Sequence, residues 1–150
     1  MSCKSNSVVL TNVALSATLS GMADPPRQSV RSFKTQWFAK AARKAEIGDA
    51  ELCRTIKQVM SGQGDDLGGG VFKKRLNRNM HRGIILAKGE RYWIYTYLFA
   101  KKDRDNIEDA ELKEFRKLAT IYGGLSPKQL ARLLKDRDLT EICHDQKAQV

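Results

Sequence analysis

The spacing of apolar residues predicts a helical hairpin that begins near Trp37 and ends at Gly62. A first row of apolar positions recurs about every 3–4 residues, as one face of an α-helix requires: Trp37, Phe38, Ala41, Ala42 and Ala45. Gly48 ends this row, and Asp49 is placed to cap a second helix. The inner face of that second helix comprises Leu52, Ile56, Val59 and Met60.

The central part of the chain predicts a loop followed by three strands. Asp65–Gly70 contains three consecutive glycines and is expected to form a loop. Three segments then have strand-like patterns, Val71–Asn77, Arg82–Lys88 and Arg91–Phe99, the last two joined in an antiparallel hairpin. The third is apolar or aromatic on both faces, so we expect it to be central, with helices on at least one side.

Two more helices are predicted towards the C-terminus. One runs from Ile107 to Tyr122 with Asn106 as its N-cap, and the other opens with Ser126 and Pro127, as in a capping box. The chain from Asp138 is expected to be loosely held. The fold class is therefore α+β, with a helical hairpin and C-terminal helices packed on a small antiparallel sheet.

A chain of 150 residues has the usual length of a single domain. We expect residues 1–30 to be a disordered extension, or a mis-called start with Met22 as the true beginning, because Pro25 and Pro26 mark a boundary. A signal peptide fits less well, since polar residues interrupt the apolar stretch. Residues 31–140 are expected to form the folded domain, and residues 141–150 a flexible tail.

The positive charge of the chain is concentrated in the predicted sheet. Lys and Arg number 27 against 17 Asp and Glu, which gives a net charge of +10. The segment from Val71 to Arg104 contains ten basic residues but only two acidic ones. Focused positive charge favours a nucleic acid, an anionic membrane surface or an acidic protein as partner. A membrane is disfavoured, because no apolar run approaches the roughly 18 residues of a spanning helix.

Strand alternation predicts a basic concavity on one face of the sheet. Lys73 and Arg75 share one face, while Phe72 and Leu76 point to the core. Lys74 has the parity of the core face, so it either extends to the edge or marks a bulge. We expect three more cations to approach Lys73 and Arg75, namely Arg82, Lys101 and Arg104. The alternative is that single cations only solubilise strand edges.

Other chemistry is sparse. His81 is the one candidate proton shuttle, although a loop histidine without a role is more common. Tyr95 and Tyr97 could stack on bases, whereas a central strand would use them in the core. Three cysteines, Cys3, Cys53 and Cys143, are scattered without ligand spacing, which favours a reducing cytoplasm and predicts neither a metal nor a cofactor.

Three segments together resemble the RelE-type toxins of type II toxin-antitoxin systems, in the RelE/ParE superfamily: Phe33–Phe38, Leu67–Arg75 and Tyr97–Ile107. The resemblance implies a microbial-ribonuclease-like fold and a metal-independent endoribonuclease that cuts mRNA on the ribosome. It implies catalytic roles for Arg82, Lys101 and Arg104, and RNA binding by Lys73 and Arg75. Arg78 and Lys102 belong to the same cluster of basic residues and are also expected to bind RNA. The implied partner is an antitoxin, expected to be a helix-turn-helix protein encoded next door, and no membrane is involved.

Two departures from the family pattern keep other functions open. The link between the first two predicted strands is only Asn77–His81, and no tyrosine after Arg104 matches the C-terminal tyrosine of some RelE-type nucleases. One alternative is a ParE-like gyrase poison without ribonuclease activity. Another is a non-enzymatic regulator that binds nucleic acid.

Overall fold

Residues 30–143 are the part of the chain that the computed structural model describes, and they form an α+β fold, as predicted. In chain order the elements are β1 (Arg31–Thr35), α1 (Gln36–Lys44), α2 (Asp49–Met60), β2 (Asp65–Gly68), β3 (Val71–Leu76), β4 (His81–Leu86), β5 (Tyr92–Ala100), α3 (Asp109–Gly123), α4 (Pro127–Lys135) and β6 (Leu139–Ile142). The predicted extension before residue 30 and the tail after residue 143 lie outside the described residues.

The six strands form one sheet in the order β2-β3-β4-β5-β1-β6. The sheet is mixed rather than antiparallel, because β1 runs parallel to β5. No strand was predicted before the first helix, but Phe33 is fully buried in β1. The helix begins at Gln36, where the Thr35 hydroxyl accepts a hydrogen bond from the backbone N–H of Phe38 as an N-cap.

Two segments expected to be irregular are strands. Asp65–Gly68 was predicted as a loop, yet it pairs antiparallel with β3 as an edge strand, and only Gly69 and Gly70 make the turn with positive φ. The chain after Asp138 was expected to be loose, yet Leu139 and Ile142 are buried and β6 pairs with β1. Both strands have four residues, too few for alternation to identify them.

The N-caps of the last two helices lie at or within two residues of the predicted positions. The capping box at Ser126 is confirmed, with Pro127 as the first helical residue. The preceding helix, α3, is capped by Glu108 and not by Asn106, because Glu108 and Glu111 form a capping box of their own.

Helices cover both faces of the sheet. On one face α1 and α2 bury a cluster that includes Phe38, Leu52, Ile85 and Trp93. On the other face α3 and α4 cover two smaller clusters that include Ile84 and Ile94. β5 lies between β4 and β1 and is buried on both faces, which confirms its predicted central position.

A disulfide bond joins Cys53 of α2 to Cys143, the residue after β6. Their Cα atoms are 5.5 Å apart although 90 residues separate them in sequence. The expectation of unpaired, scattered cysteines is therefore wrong for these two, because the pairing depends on β6 crossing to the edge of the sheet. Cys3 lies outside the described residues. No helix among residues 30–143 is long and apolar enough to cross a membrane.

Candidate functional site

The β3–β4 hairpin places two arginines directly opposite each other. Arg75 pairs in register with Arg82, and Arg82 pairs on its other side with Phe99 of β5. Lys73, two residues before Arg75, shares their face. These cations line a groove of about 310 Å³, which we call the arginine groove: Lys73, Lys74, Arg75 and Arg82, with Gln63, Gly64 and Asp65. The predicted convergence of Lys73, Arg75 and Arg82 is observed.

The cations of the arginine groove differ in how they are held. Arg82 donates from Nη1 to the backbone oxygens of Asn79 and His81, at 3.0 and 3.1 Å, so the turn orients its guanidinium group. Lys73 lies 3.8 Å from a carboxylate oxygen of Asp65. Arg75 is exposed and makes no hydrogen bond or ion pair with another described residue. The N–H donors of Arg75 are therefore open to a ligand.

The structure decides between the two alternatives for Lys74, extension to the sheet edge or a β-bulge. The pairing of β3 with β4 is continuous from Val71 to Leu76, so no bulge occurs. The Lys74 ammonium group instead extends to the edge and donates to the backbone oxygen of Gln63 at 2.7 Å.

Arg104 is held by partners within the fold. Glu111 accepts from both Nη atoms, and the Asn106 backbone oxygen accepts from Nε at 2.9 Å. The Tyr97 hydroxyl accepts from Nη1 at 3.4 Å, so four of the five guanidinium N–H donors have partners. The hydrogen bond with Glu111 raises the pKa of Arg104 and lowers the pKa of Glu111. Arg104 therefore ties β5 to α3, and its catalytic role stays a prediction.

The remaining predicted cations lie in two adjoining grooves at the end of the sheet. The first, which we call the aromatic groove, has a volume of about 680 Å³ and lies between α1 and the C-terminal half of β5. Its polar and aromatic lining comprises Trp37, Lys40, Lys44, His81, Tyr97, Phe99, Lys102, Asp103 and Arg104. The second, of about 830 Å³, contains Arg78 and Lys101 and shares Lys44, His81 and Lys102 with the first.

The five cations expected in one pocket therefore lie in different grooves: Lys73, Arg75 and Arg82 in the arginine groove, and Lys101 and Arg104 in the two grooves at the end of the sheet. Lys101 and Arg104 do not line the arginine groove, because the chain turns at Ala100, whose backbone oxygen accepts from the N–H groups of Asp103 and Arg104. Phe99 connects the two regions: it is opposite Arg82, and its ring centroid is 5.5 Å from the guanidinium carbon of Arg104.

The hydrogen bonds of His81 fix its neutral tautomer. The side-chain nitrogen of Asn77 lies 3.2 Å from Nδ1 of His81 and 3.4 Å from the backbone oxygen of Ala45. A carbonyl oxygen only accepts, so this atom of Asn77 is the NH₂ group, and Nδ1 of His81 accepts from it. The proton of the neutral ring is therefore on Nε2, and the basic nitrogen is already engaged. Use of His81 as a proton acceptor would require this bond to break.

The two tyrosine candidates have different surroundings. Tyr95 is fully buried, stacks on Phe38, and donates its hydroxyl to the backbone oxygen of Leu52 at 2.7 Å, while burial raises its pKa. Tyr95 is thus a core residue. Tyr97 is partly exposed and lines the aromatic groove, where its ring stacks on Trp37.

Sequence reasoning missed Trp37, which it assigned to a buried helix face. The side chain of Trp37 is 52% exposed, whereas Phe38 is fully buried. Neighbouring residues of an α-helix point about 100° apart, so these two large side chains could not both lie at the centre of one buried face. That spacing is a signal that could have identified Trp37.

Among residues 30–143, no three His, Cys, Asp or Glu side chains come together as possible metal ligands. Comparison with curated proteins and with solved structures returned no match. A family model described as the RelE toxin of the RelE/RelB toxin-antitoxin system matches residues 30–142, which include every helix and strand that the structure describes. This match confirms the resemblance drawn from the sequence segments. The chain belongs to the RelE toxin family.

Proposed function

We propose that this RelE-family toxin binds RNA through the arginine groove and cleaves mRNA as a metal-independent endoribonuclease. The observation that carries the proposal is the cross-strand register of Arg75 and Arg82. Two guanidinium groups on one face offer planar, bidentate recognition of a phosphodiester. Lys73 adds a third cation to the same groove. Such a cluster supports binding to the nucleic acid backbone regardless of sequence.

Cleavage in this proposal uses the 2′-hydroxyl of the RNA as the nucleophile. The 2′-hydroxyl gives its proton to water as its oxygen bonds to the adjacent phosphorus. The bond to the 5′-oxygen of the next nucleotide breaks, which leaves a 2′,3′-cyclic phosphate, and the 5′-oxygen takes up a proton from water. Negative charge grows on the phosphate during the reaction, and one preorganised donor is worth about 10²–10³ in rate. Arg82, oriented by the turn, and the open Arg75 supply these donors. Arg78 and Lys101 extend the cationic path for the RNA backbone.

The finer features of the proposal concern place and partner. We infer that the substrate is mRNA being translated on the ribosome, which places the toxin in the cytoplasm. Glutathione keeps most cytosolic thiols reduced, so the Cys53–Cys143 pair would be open there. The proposed partner is an antitoxin, a helix-turn-helix protein encoded beside this chain. An acidic antitoxin segment covering Arg75 and Arg78 would neutralise cations that have no partner among the described residues.

Two observations favour a second candidate, a ParE-like gyrase poison that binds without cutting RNA. Arg104 is neutralised by Glu111, and the basic nitrogen of His81 is occupied by Asn77. Neither predicted residue therefore offers a free proton acceptor in this conformation. A toxin of this kind would use the same cations to bind its protein target.

Expression in bacteria without an antitoxin tests the proposal. We expect growth arrest and cut ends within translated messages, both abolished by the double substitution Arg75→Ala/Arg82→Ala. The control Arg54→Ala/Arg132→Ala removes the same charge from exposed helix positions outside the arginine groove and should leave arrest intact. Equal arrest by both double variants would contradict the proposal. Arrest with intact messages and induced DNA damage would select the gyrase poison.

A further inference from the structure

Trp37 is an exposed tryptophan with one face already stacked on another ring. Its side chain is 52% exposed, while the only other tryptophan, Trp93, is 3% exposed. The ring centroids of Trp37 and Tyr97 are 5.0 Å apart and their planes differ by 28°. Both rings line the aromatic groove. Tyr97 packs against the core cluster on its side of the sheet, and Trp37 presents an exposed aromatic surface to the groove.

Neighbouring side chains hold the platform formed by Trp37 and Tyr97. The Tyr97 hydroxyl accepts from Arg104, which Glu111 fixes in place, and the Tyr97 ring contacts Phe115 at a centroid distance of 5.9 Å. A platform that is already ordered loses little conformational freedom when a ligand stacks on it. The hydrogen bonds of Arg104 therefore help to orient the Tyr97 ring on which Trp37 stacks.

The charge around the aromatic groove suits a nucleotide. Lys40, Lys44 and Lys102 line the groove, are exposed, and have no partner among the described residues. Among residues 30–143, Asp103 is the one acidic residue in the lining. A nucleobase on the platform would therefore carry its phosphates into a cationic rim. Nucleic-acid-binding proteins combine such rims with aromatic side chains on which unpaired bases stack.

The aromatic groove lies next to the arginine groove. Arg82 is opposite Phe99, and the Phe99 ring is 6.0 Å from the Tyr97 ring between centroids. We propose that Trp37, backed by Tyr97, stacks on an unpaired base of the RNA strand whose phosphate occupies the arginine groove. The proposal rests on the proposed RNA binding and adds a base-binding subsite to it. The ligand is a single-stranded RNA base of any identity, because every base offers a π-face.

The test measures binding of short fluorescent RNA by the purified protein. Trp37→Ala should weaken binding of single-stranded RNA about 5- to 150-fold, the range for loss of one stacked base. Trp37→Phe should recover much of this loss. The control Ile121→Ala removes another exposed apolar side chain, 60% exposed and outside the aromatic groove, and should bind as the wild type does.

An abasic RNA backbone of equal length separates stacking from phosphate binding. Trp37→Ala should bind it as tightly as the wild type, whereas Arg75→Ala/Arg82→Ala should bind both RNAs weakly. RNA should also quench the fluorescence of Trp37 in the wild type. Equal affinity of Trp37→Ala and wild type for intact RNA would overturn the base-binding site and leave the arginine groove standing. Absence of any RNA binding by the wild type would overturn both proposals.

Discussion

Reduction of the bond between Cys53 and Cys143 should remove a large part of the stability of this fold. The bond links α2 to the end of β6 and spans 90 residues of sequence. In the chain-entropy model, a cross-link closing a loop of this length stabilises the native state by about 4.6 kcal/mol at 25 °C. Because single domains are stable by only about 5–15 kcal/mol, the expected loss is a large fraction of the total.

Urea unfolding with and without a reductant measures this loss. The fluorescence of buried Trp93 reports the transition, and thiol labelling should detect two additional thiols after reduction. The variant Cys53→Ala/Cys143→Ala is the control, because its urea midpoint should not respond to the reductant. An unchanged wild-type midpoint, with labelling that shows the bond open, would refute the loop-closure reasoning.

Three further predictions concern single positions. Gly83→Ala places a Cβ 2.8 Å from a side-chain carbon of Leu76 in β3, so we expect the free energy of unfolding in urea to fall by about 1–3 kcal/mol. The control Gly48→Ala adds a Cβ that meets nothing within 4 Å, and it should be tolerated. Folding lowers the pKa of Glu111 below its ordinary 4.5, mainly through its hydrogen bond with Arg104. The resulting stabilisation is present above pH 4.5 and is lost as the pH falls through the pKa of the folded state. Glu111→Gln should therefore make the urea midpoint less sensitive to acid. Arg75→Thr should raise the free energy of unfolding by about 0.2–1 kcal/mol, because it removes like-charge repulsion across the strands; an unchanged or lower urea midpoint would contradict that reason.

The arginine groove could be predicted because its geometry is local in sequence. Lys73 and Arg75 share a face by alternation, and a short turn brings Arg82 opposite Arg75. The division of the other cations could not be predicted, since Arg104 meets Glu111 only after the chain has turned at Ala100 and entered α3.

The edges of the sheet depend on pairing between distant segments. Phe33 in β1 pairs with Ile94 of β5 on one side and with Glu141 of β6 on the other. Each of these partners is more than 60 residues away, and neither β1 nor β6 exceeds five residues. Periodicity within so few residues does not distinguish a strand from the start of a helix or from a tail.

Arg75 and Arg82 lie opposite each other in the sheet, and their positive charges lower the stability of the fold when no anion occupies the arginine groove. Arg75 faces Arg82 and has no acidic partner among the described residues, so their repulsion weakens the hairpin unless an anion lies between them. Arg104, on the same side of the sheet, is neutralised by Glu111. The fold thus pairs an arginine with an acid where the arginine links two elements, and leaves Arg75 open where a ligand can reach it. Solubility requires only net charge, whereas a phosphate requires donors in register, and the register of Arg75 and Arg82 is what favours phosphate binding over a solubilising role.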